Sequence, residues 1–251
     1  MDDRVAIVTG AGSGIGEATA RLLAEKGLHV TLVARRRARL EAVVEQIAAA
    51  GGRATAVPAD LSRPHAPREI VDTVLGERGR LDVIVNNAAA FHLKTIEEVT
   101  LENFNELVAV NLRSAYFLVQ AALPALRSSP APVVVNVSSA AAAMYRARQT
   151  VYGLTKAALE HMTMNMAAEL APDGIRVACV RPGPVRTEFH LAVPDPEERL
   201  RMLGTLVPLG RVGEPEELAL WIWHLVDPAA AWVTGIVISV DGGRILGPPE
   251  A

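Results

Sequence analysis

The chain has 251 residues, half of them apolar and 21% charged, a balance that supplies a large core and excludes disorder as the main state. Its 25 Lys and Arg against 28 Asp and Glu leave a formal charge of −3, which argues against nucleic acid as the main partner. Cys179 is the only cysteine, so an intrachain disulfide and a cysteine-rich zinc site are both excluded. Met1-Asp2-Asp3-Arg4 runs into an apolar strand without the basic and hydrophobic regions of a signal peptide, and no unbroken apolar run reaches the ~18–20 residues of a membrane span. The expectation is a cytoplasmic chain.

Strand and helix signals alternate from end to end. Val5-Ala6-Ile7-Val8, closed by Thr9-Gly10, reads as a buried strand, and a helix with Ala18, Leu22 and Leu23 on one face follows it to Gly27. A second strand spans 29–34, a helix 39–50, a third strand 54–58 and a helix 68–75. Val83-Ile84-Val85 is a fourth strand, and Thr100 caps one long helix to about Leu126. The pattern continues with a strand at 132–137, a helix at 150–171, a strand at 175–180, a helix at 215–225 and a strand at 233–240. Apolar strands alternating with helices imply an α/β fold, a doubly wound parallel sheet covered on both faces in a single domain. The stretch 184–213 is rich in proline and charge and weakly periodic, and reads equally as a substrate lid at about 186–212 or as a surface loop.

Thr9-Gly10-Ala11-Gly12-Ser13-Gly14-Ile15-Gly16 lies between the first strand and the first helix. Glycines there allow a tight turn and close approach to a pyrophosphate, and the helix N-terminus supplies N–H groups and a positive dipole end. The end of the second strand meets the adenosine ribose in such a site, where a carboxylate accepts from the 2′-hydroxyl of NAD. This chain has Arg35-Arg36-Arg37 there instead. A guanidinium binds a 2′-phosphate bidentately, which favours NADP(H), with Arg35 as the phosphate ligand and Arg36 beside the adenine. The other reading is a solvated basic helix start.

Tyr152 and Lys156 stand at i and i+4 and so share a helix face. An ammonium beside a phenol favours the phenolate, and lowering its pKa by about three units corresponds to ~4 kcal/mol of differential interaction. Such a tyrosine trades protons with a carbonyl oxygen. Ser138-Ser139 ends the fifth strand, at the edge where open α/β sheets bind ligands. Asn111 sits within the long helix despite poor helix propensity, either to hydrogen-bond backbone or buried water or to act in catalysis.

Together these residues resemble the short-chain dehydrogenase/reductase family, in its single-domain branch, over nearly the whole chain. Residues 9–16 are similar to the family's Thr-Gly-x-x-x-Gly-x-Gly cofactor motif, in which Gly10, Ser13, Gly14, Ile15 and Gly16 face the cofactor. Asp60-Leu61 matches the position that contacts adenine, and Asn86-Asn87-Ala88-Ala89 the segment after strand four, with Asn87 and Ala88 at the cofactor. Asn111, Ser139, Tyr152 and Lys156 match the catalytic tetrad, Ser139 being thirteen residues before the tyrosine. Pro182, Gly183, Val185 and Thr187 fall in the segment that holds the nicotinamide carboxamide.

The resemblance implies a Rossmann-like sheet of about seven strands and hydride transfer between a nicotinamide, NADP(H) in preference to NAD(H), and a ketone or secondary alcohol. A 3-oxoacyl thioester is one such substrate. Ser139 would bind the carbonyl, Tyr152 act as acid or base, Lys156 lower its pKa and hold the ribose, and Asn111 support a relay water. No metal is implied, and a homodimer or homotetramer is. An NADP(H)-sensing binding protein without turnover is the alternative, although such relatives typically lose the tyrosine or lysine. Two residues depart from the family pattern: Ala89 and Ala142 replace usual glycines near the site. Tyr145, Arg146 and Arg148 meet a substrate or face solvent, and Phe189, His190 and Met202 line a pocket or pack.

Overall fold

A computed structural model describes residues 3–191 and 194–247, with the backbone alone at 189 and 190. Seven strands form one sheet: β1 (Val5–Thr9), β2 (His29–Ala34), β3 (Arg53–Pro58), β4 (Val83–Asn86), β5 (Val133–Val137), β6 (Arg176–Pro182) and β7 (Val237–Val240). Their order is β3-β2-β1-β4-β5-β6-β7, and every neighbouring pair is parallel. Parallel neighbours need crossovers, which here are helical: α1 (Gly14–Glu25), α2 (Arg37–Ala49), α3 (Ala66–Arg78), α4 (Leu101–Val108), α5 (Ser114–Arg127), α6 (Thr150–Leu170), α7 (Glu188–Leu191), α8 (Pro196–Gly204) and α9 (Pro215–Val226). The strand order reverses between β1 and β4, and a crevice opens beyond their carboxyl ends.

β1, β4 and β5 are buried at every residue, which is why they read as unbroken apolar runs rather than as alternations. On one face Ala6, Val8, Leu32, Val85 and Val135 pack under Leu23 of α1, Leu40 of α2 and Ile222 of α9. On the other, Ile7, Val33, Ile84 and Val134 pack under Val71 of α3, Leu118 of α5 and Met166 of α6. The doubly wound α/β sheet expected from the sequence is the one observed.

Three expectations change. The single helix from Thr100 is interrupted: after a capping box between Thr100 and Asn103, α4 gives way to a π turn at Ala109–Arg113, in which Ser114 N reaches back five residues to Ala109 O. The run Leu101–Arg127 is long and apolar enough by composition to cross a membrane, but here it packs on the sheet with Leu107, Leu118, Ala122 and Leu126 buried. The last strand starts at Val237 rather than 233, because Thr234 and Gly235 bond side chain and backbone to Val177 in a turn with Gly235 at φ 69°. The 186–212 stretch is not irregular: Asp195 caps α8 by accepting from Glu198 N, and Leu200, Leu203 and Val212 form a small core of their own.

His29 of β2 is 7% exposed, and its Nε2 lies 2.8 Å from Thr55 Oγ1. Arg78 donates to that same hydroxyl at 3.1 Å, which leaves the Thr55 proton for His29 and makes Nε2 the acceptor. Burial, with Arg78 and Arg53 nearby, holds His29 down to about 4 from its ordinary 6.5. Between those values the unfolded chain binds the extra proton, so stability falls as pH drops from 6.5 towards 4, by about 3 kcal/mol in full. Denaturant titrations across this range are expected to show that loss in the wild type and its absence in His29→Gln.

Candidate active site

A cavity of about 400 Å³ opens at the carboxyl ends of the central strands. It runs from the turn after β1 and the end of β2 to the residues that follow β5 and open α6. Of the residues picked out by sequence for the cofactor, Gly10, Ser13, Gly14, Ile15, Arg35, Arg36, Asp60, Leu61, Asn87, Ala88, Tyr152, Lys156, Pro182, Gly183, Val185 and Thr187 all line it. Gly16 lies behind them.

The glycine turn is shaped by contact. A Cβ on Gly16 would stand 2.3 Å from Gly10 O and 2.5 Å from Asn87 Nδ2, so only glycine lets α1 start this close to β1. Asn87 spends its amide on Thr9 O at 2.9 Å and Gly10 O at 3.3 Å, and its backbone N donates to Thr9 Oγ1 at 3.0 Å. It therefore holds the turn while still lining the cavity. Ser13 is the N-cap of α1 in extended backbone and makes no capping bond, so the first N–H groups of the helix face the cavity uncapped by it. This donor set suits a pyrophosphate.

Above the turn, Glu188 closes across from α7. It bonds Arg36 at 2.8 Å and Arg39 at 3.0 Å, and its carboxyl is held below the usual range chiefly by Arg36. Arg36 is thus committed to Glu188 rather than lying free beside an adenine site. Among the described residues Arg35 lines the cavity with no hydrogen bond or ion pair, and Asp60 accepts from Ser62 N at 2.9 Å, the bond that lowers its pKa most.

At the other end the two serines divide. Ser138 is buried and donates to Glu160 Oε1 at 2.7 Å. Ser139 faces the cavity and accepts from Ala141 N at 3.2 Å. Lys156 is 2% exposed, donates to Val137 O at 2.8 Å, and places Nζ 5.9 Å from the Tyr152 ring centroid. Phe91 packs edge-on against Tyr152 with centroids 5.0 Å apart.

The expected acidification of the phenol does not hold in the free protein. Burial pushes Tyr152 above its ordinary value, with Ser139 pulling it back. Burial likewise draws Lys156 down to about 8 against the pull of Cys179 and Glu160. The physical reason is that desolvation penalises each charged form more than this geometry compensates.

Asn111 lies beside the cavity, not on it. Its Oδ1 accepts from Ala90 N at 2.7 Å while Nδ2 donates to Ala90 O at 3.0 Å and Thr155 Oγ1 at 3.1 Å. The π turn around it lets a helix residue reach these groups, and such turns recur at functional sites.

Sequence reasoning missed Glu160 and Arg181, a largely buried pair with bonds of 2.8 and 2.6 Å that fixes Ser138 beside β6. The i, i+4 spacing from Lys156 to Glu160 was the available signal. It also missed Phe91, Glu188 and Arg244 at the cavity wall. Of the 140–148 residues, Arg146 lines the cavity, Tyr145 is fully exposed, and Arg148 sits at φ 65° and pairs with Glu98 at 3.5 Å. Ala89 and Ala142 both keep negative φ, so their methyls bring no backbone strain. Met202 is exposed and off the cavity, and the side chains of Phe189 and His190 fall outside the described residues.

The family model described as Enoyl-(Acyl carrier protein) reductase matches residues 10–244. A short-chain dehydrogenase/reductase from Serratia marcescens superposes with a TM-score of 0.90 at 35% identity, over 96% of this chain and 98% of that one. The chain belongs to the short-chain dehydrogenase/reductase family. Two other family members bear on the cofactor. L-rhamnose 1-dehydrogenase (NAD(P)(+)) of Azotobacter vinelandii is 38% identical over 250 residues, covering 97% of both chains. A putative NAD(P)-dependent gluconate 5-dehydrogenase from Beutenbergia cavernae, solved with NADP at low occupancy, has a TM-score of 0.90 at 34% identity over 97% of both chains. The protein is an NAD(P)-dependent oxidoreductase of this family.

Because Lys156 titrates near 8 when folded and 10.5 when unfolded, the unfolded chain holds the extra proton between those values. The burden of the buried amine is full below pH 8 and lifts as pH rises, by about 3 kcal/mol in all. The stability of wild type relative to Lys156→Met is expected to rise from pH 8 to 10 in chemical denaturation; a flat difference would show that the amine is not held neutral.

Proposed function

We propose that the protein is an NADP(H)-dependent oxidoreductase that interconverts a ketone and a secondary alcohol, with Tyr152 as general acid and base. The observation that carries this reading is that one cavity joins the arginine-bearing end of β2 to Ser139, Tyr152 and Lys156. Bound there, the nicotinamide supplies or accepts the hydride. Ser139 holds the substrate oxygen, and Tyr152, kept protonated by its burial, gives that oxygen a proton during reduction. The buried Lys156 sets the position of α6 against β5 and, when charged, favours the phenolate that oxidation requires.

The choice of NADP(H) rests on Arg35. With Arg36 and Arg39 held by Glu188, it is the guanidinium of this cluster that makes no hydrogen bond or ion pair among the described residues, and no carboxylate ends β2 to repel a phosphate. A 3-oxoacyl thioester is the first substrate class to test, and the α7–α8 segment serves as the lid. Exposed Tyr116 and Phe117 on α5 and Leu154 and Met164 on α6 support a homodimer or homotetramer, placed in the cytoplasm.

A screen of NADPH consumption over β-ketoacyl thioesters, diketones, keto-sugars and steroids identifies the working substrate. With it, Tyr152→Phe is expected to lower kcat by about 10²–10⁴-fold while NADPH binding changes less than about twofold. Near-normal turnover in that variant would take Tyr152 out of the chemistry. Arg35→Ala is expected to raise the NADPH Kd by about tenfold, the scale of one charge-assisted contact, and the NADH Kd hardly at all. An equal loss for both would assign the phosphate elsewhere.

A further inference from the structure

Part of the cavity wall is strongly basic in a way that hydride and proton transfer do not use. Arg244 follows β7 in the short turn Arg244–Leu246 and is 8% exposed. It lines the same cavity as Ser139 and Tyr152, yet its buried Nε has no hydrogen-bond partner among the described residues. The neighbouring carboxylate does not serve it: Asp241 spends Oδ1 on Gly243 N and Oδ2 on Ile245 N, both at 2.9 Å.

Arg146 reaches the same cavity from the segment between Ser139 and α6. Its charge is disfavoured first by burial and then by two like charges, Arg244 and Arg199 of α8. The carboxylates that line the cavity are engaged with other groups, Glu188 with Arg36 and Arg39, Glu106 with His92, and Asp60 with Ser62 N. Like charges from three separate segments, one of them buried with an idle donor, are unfavourable together and become favourable once an anion stands among them. A guanidinium edge, Nε with one Nη, matches two oxygens of a carboxylate or phosphate.

We propose that Arg244 and Arg146 bind an oxyanion on the substrate, so that the enzyme acts on small carbonyl compounds carrying a carboxylate or phosphate away from the reacting carbon. Arg199 of α8 adds its like charge to the field at Arg146. The assignment rests on the reading that the substrate carbonyl sits at Ser139 and Tyr152. A neutral analogue leaves the buried guanidinium unpaired, which is the condition for strong discrimination.

The test compares matched pairs in NADPH consumption: acetoacetate and levulinate against their methyl esters, and dihydroxyacetone phosphate against dihydroxyacetone. Wild-type protein is expected to prefer an anionic member by at least about tenfold in kcat/KM, and the two arms tell carboxylate from phosphate. Arg244→Met and Arg146→Gln are each expected to reduce that preference by about tenfold, and to weaken calorimetric binding of the same anions to NADP+-loaded protein to a similar degree. Arginine-dependent anion binding without NADPH consumption supports the oxyanion site and counts against the redox reading. Preference for the neutral members, no anion binding to wild type, or variants that keep both preference and affinity overturn the proposal and leave the redox reading standing. A loss of NADPH affinity in Arg244→Met also overturns it, by assigning the guanidinium to the cofactor. Should Arg244→Met fail to fold, Arg146→Gln, at a half-exposed position, decides the matter.

Discussion

The amine of Lys156, inside the protein and hydrogen-bonded to Val137 O at 2.8 Å, is the contact on which the site depends. Burying an ammonium is unfavourable, and the structure answers with a carbonyl at the end of β5 and a carboxylate, Glu160, one turn further along α6. That arrangement locks α6 to the end of β5. Ser139 lies two residues beyond Val137, and Tyr152 one turn before Lys156. Ser139 and Tyr152, which both line the cavity, are therefore placed by a third group that is almost wholly enclosed.

Glu160 extends the lock. It accepts from Ser138 and from both Nε and Nη2 along one edge of Arg181, which carries β6 into the same frame. Removing one member of such a buried set leaves the others uncompensated, so the end of β5 is held to α6 and β6 by one network. The Asn111 amide does for the residues after β4 what Glu160 does after β5, clamping Ala90 by its N–H and its carbonyl.

Charge is arranged along the cavity in a definite sense. Arginines flank it where β2 ends and again where β7 ends, while the carboxylates at its wall are engaged with other groups. An uncapped helix N-terminus lies between these basic regions. The whole molecule carries a formal charge of −3, so this local field is built by placement and not by composition. Tyr152, whose pKa burial raises, lines the cavity within that field.

The amino-acid order alone determined the alternation of strand and helix, the parallel sheet, the glycine turn and the Tyr152–Lys156 pair, because each is written in local spacing: apolar runs, turn residues, an i, i+4 pair; Ser139 was separated from Ser138 only by resemblance to the family. It also marked Asn111 as out of place in a helix, but the π turn that accommodates it follows from contacts with Ala90 and Thr155, far away in sequence. Glu188 on Arg36 and Arg39 spans some 150 positions, and Arg244 meets Arg146 across about 100, pairings no local pattern encodes. Only the tertiary structure decided the direction in which Tyr152 and Lys156 are shifted from their ordinary values, since desolvation is a property of everything packed around a group and not of the residue a turn away.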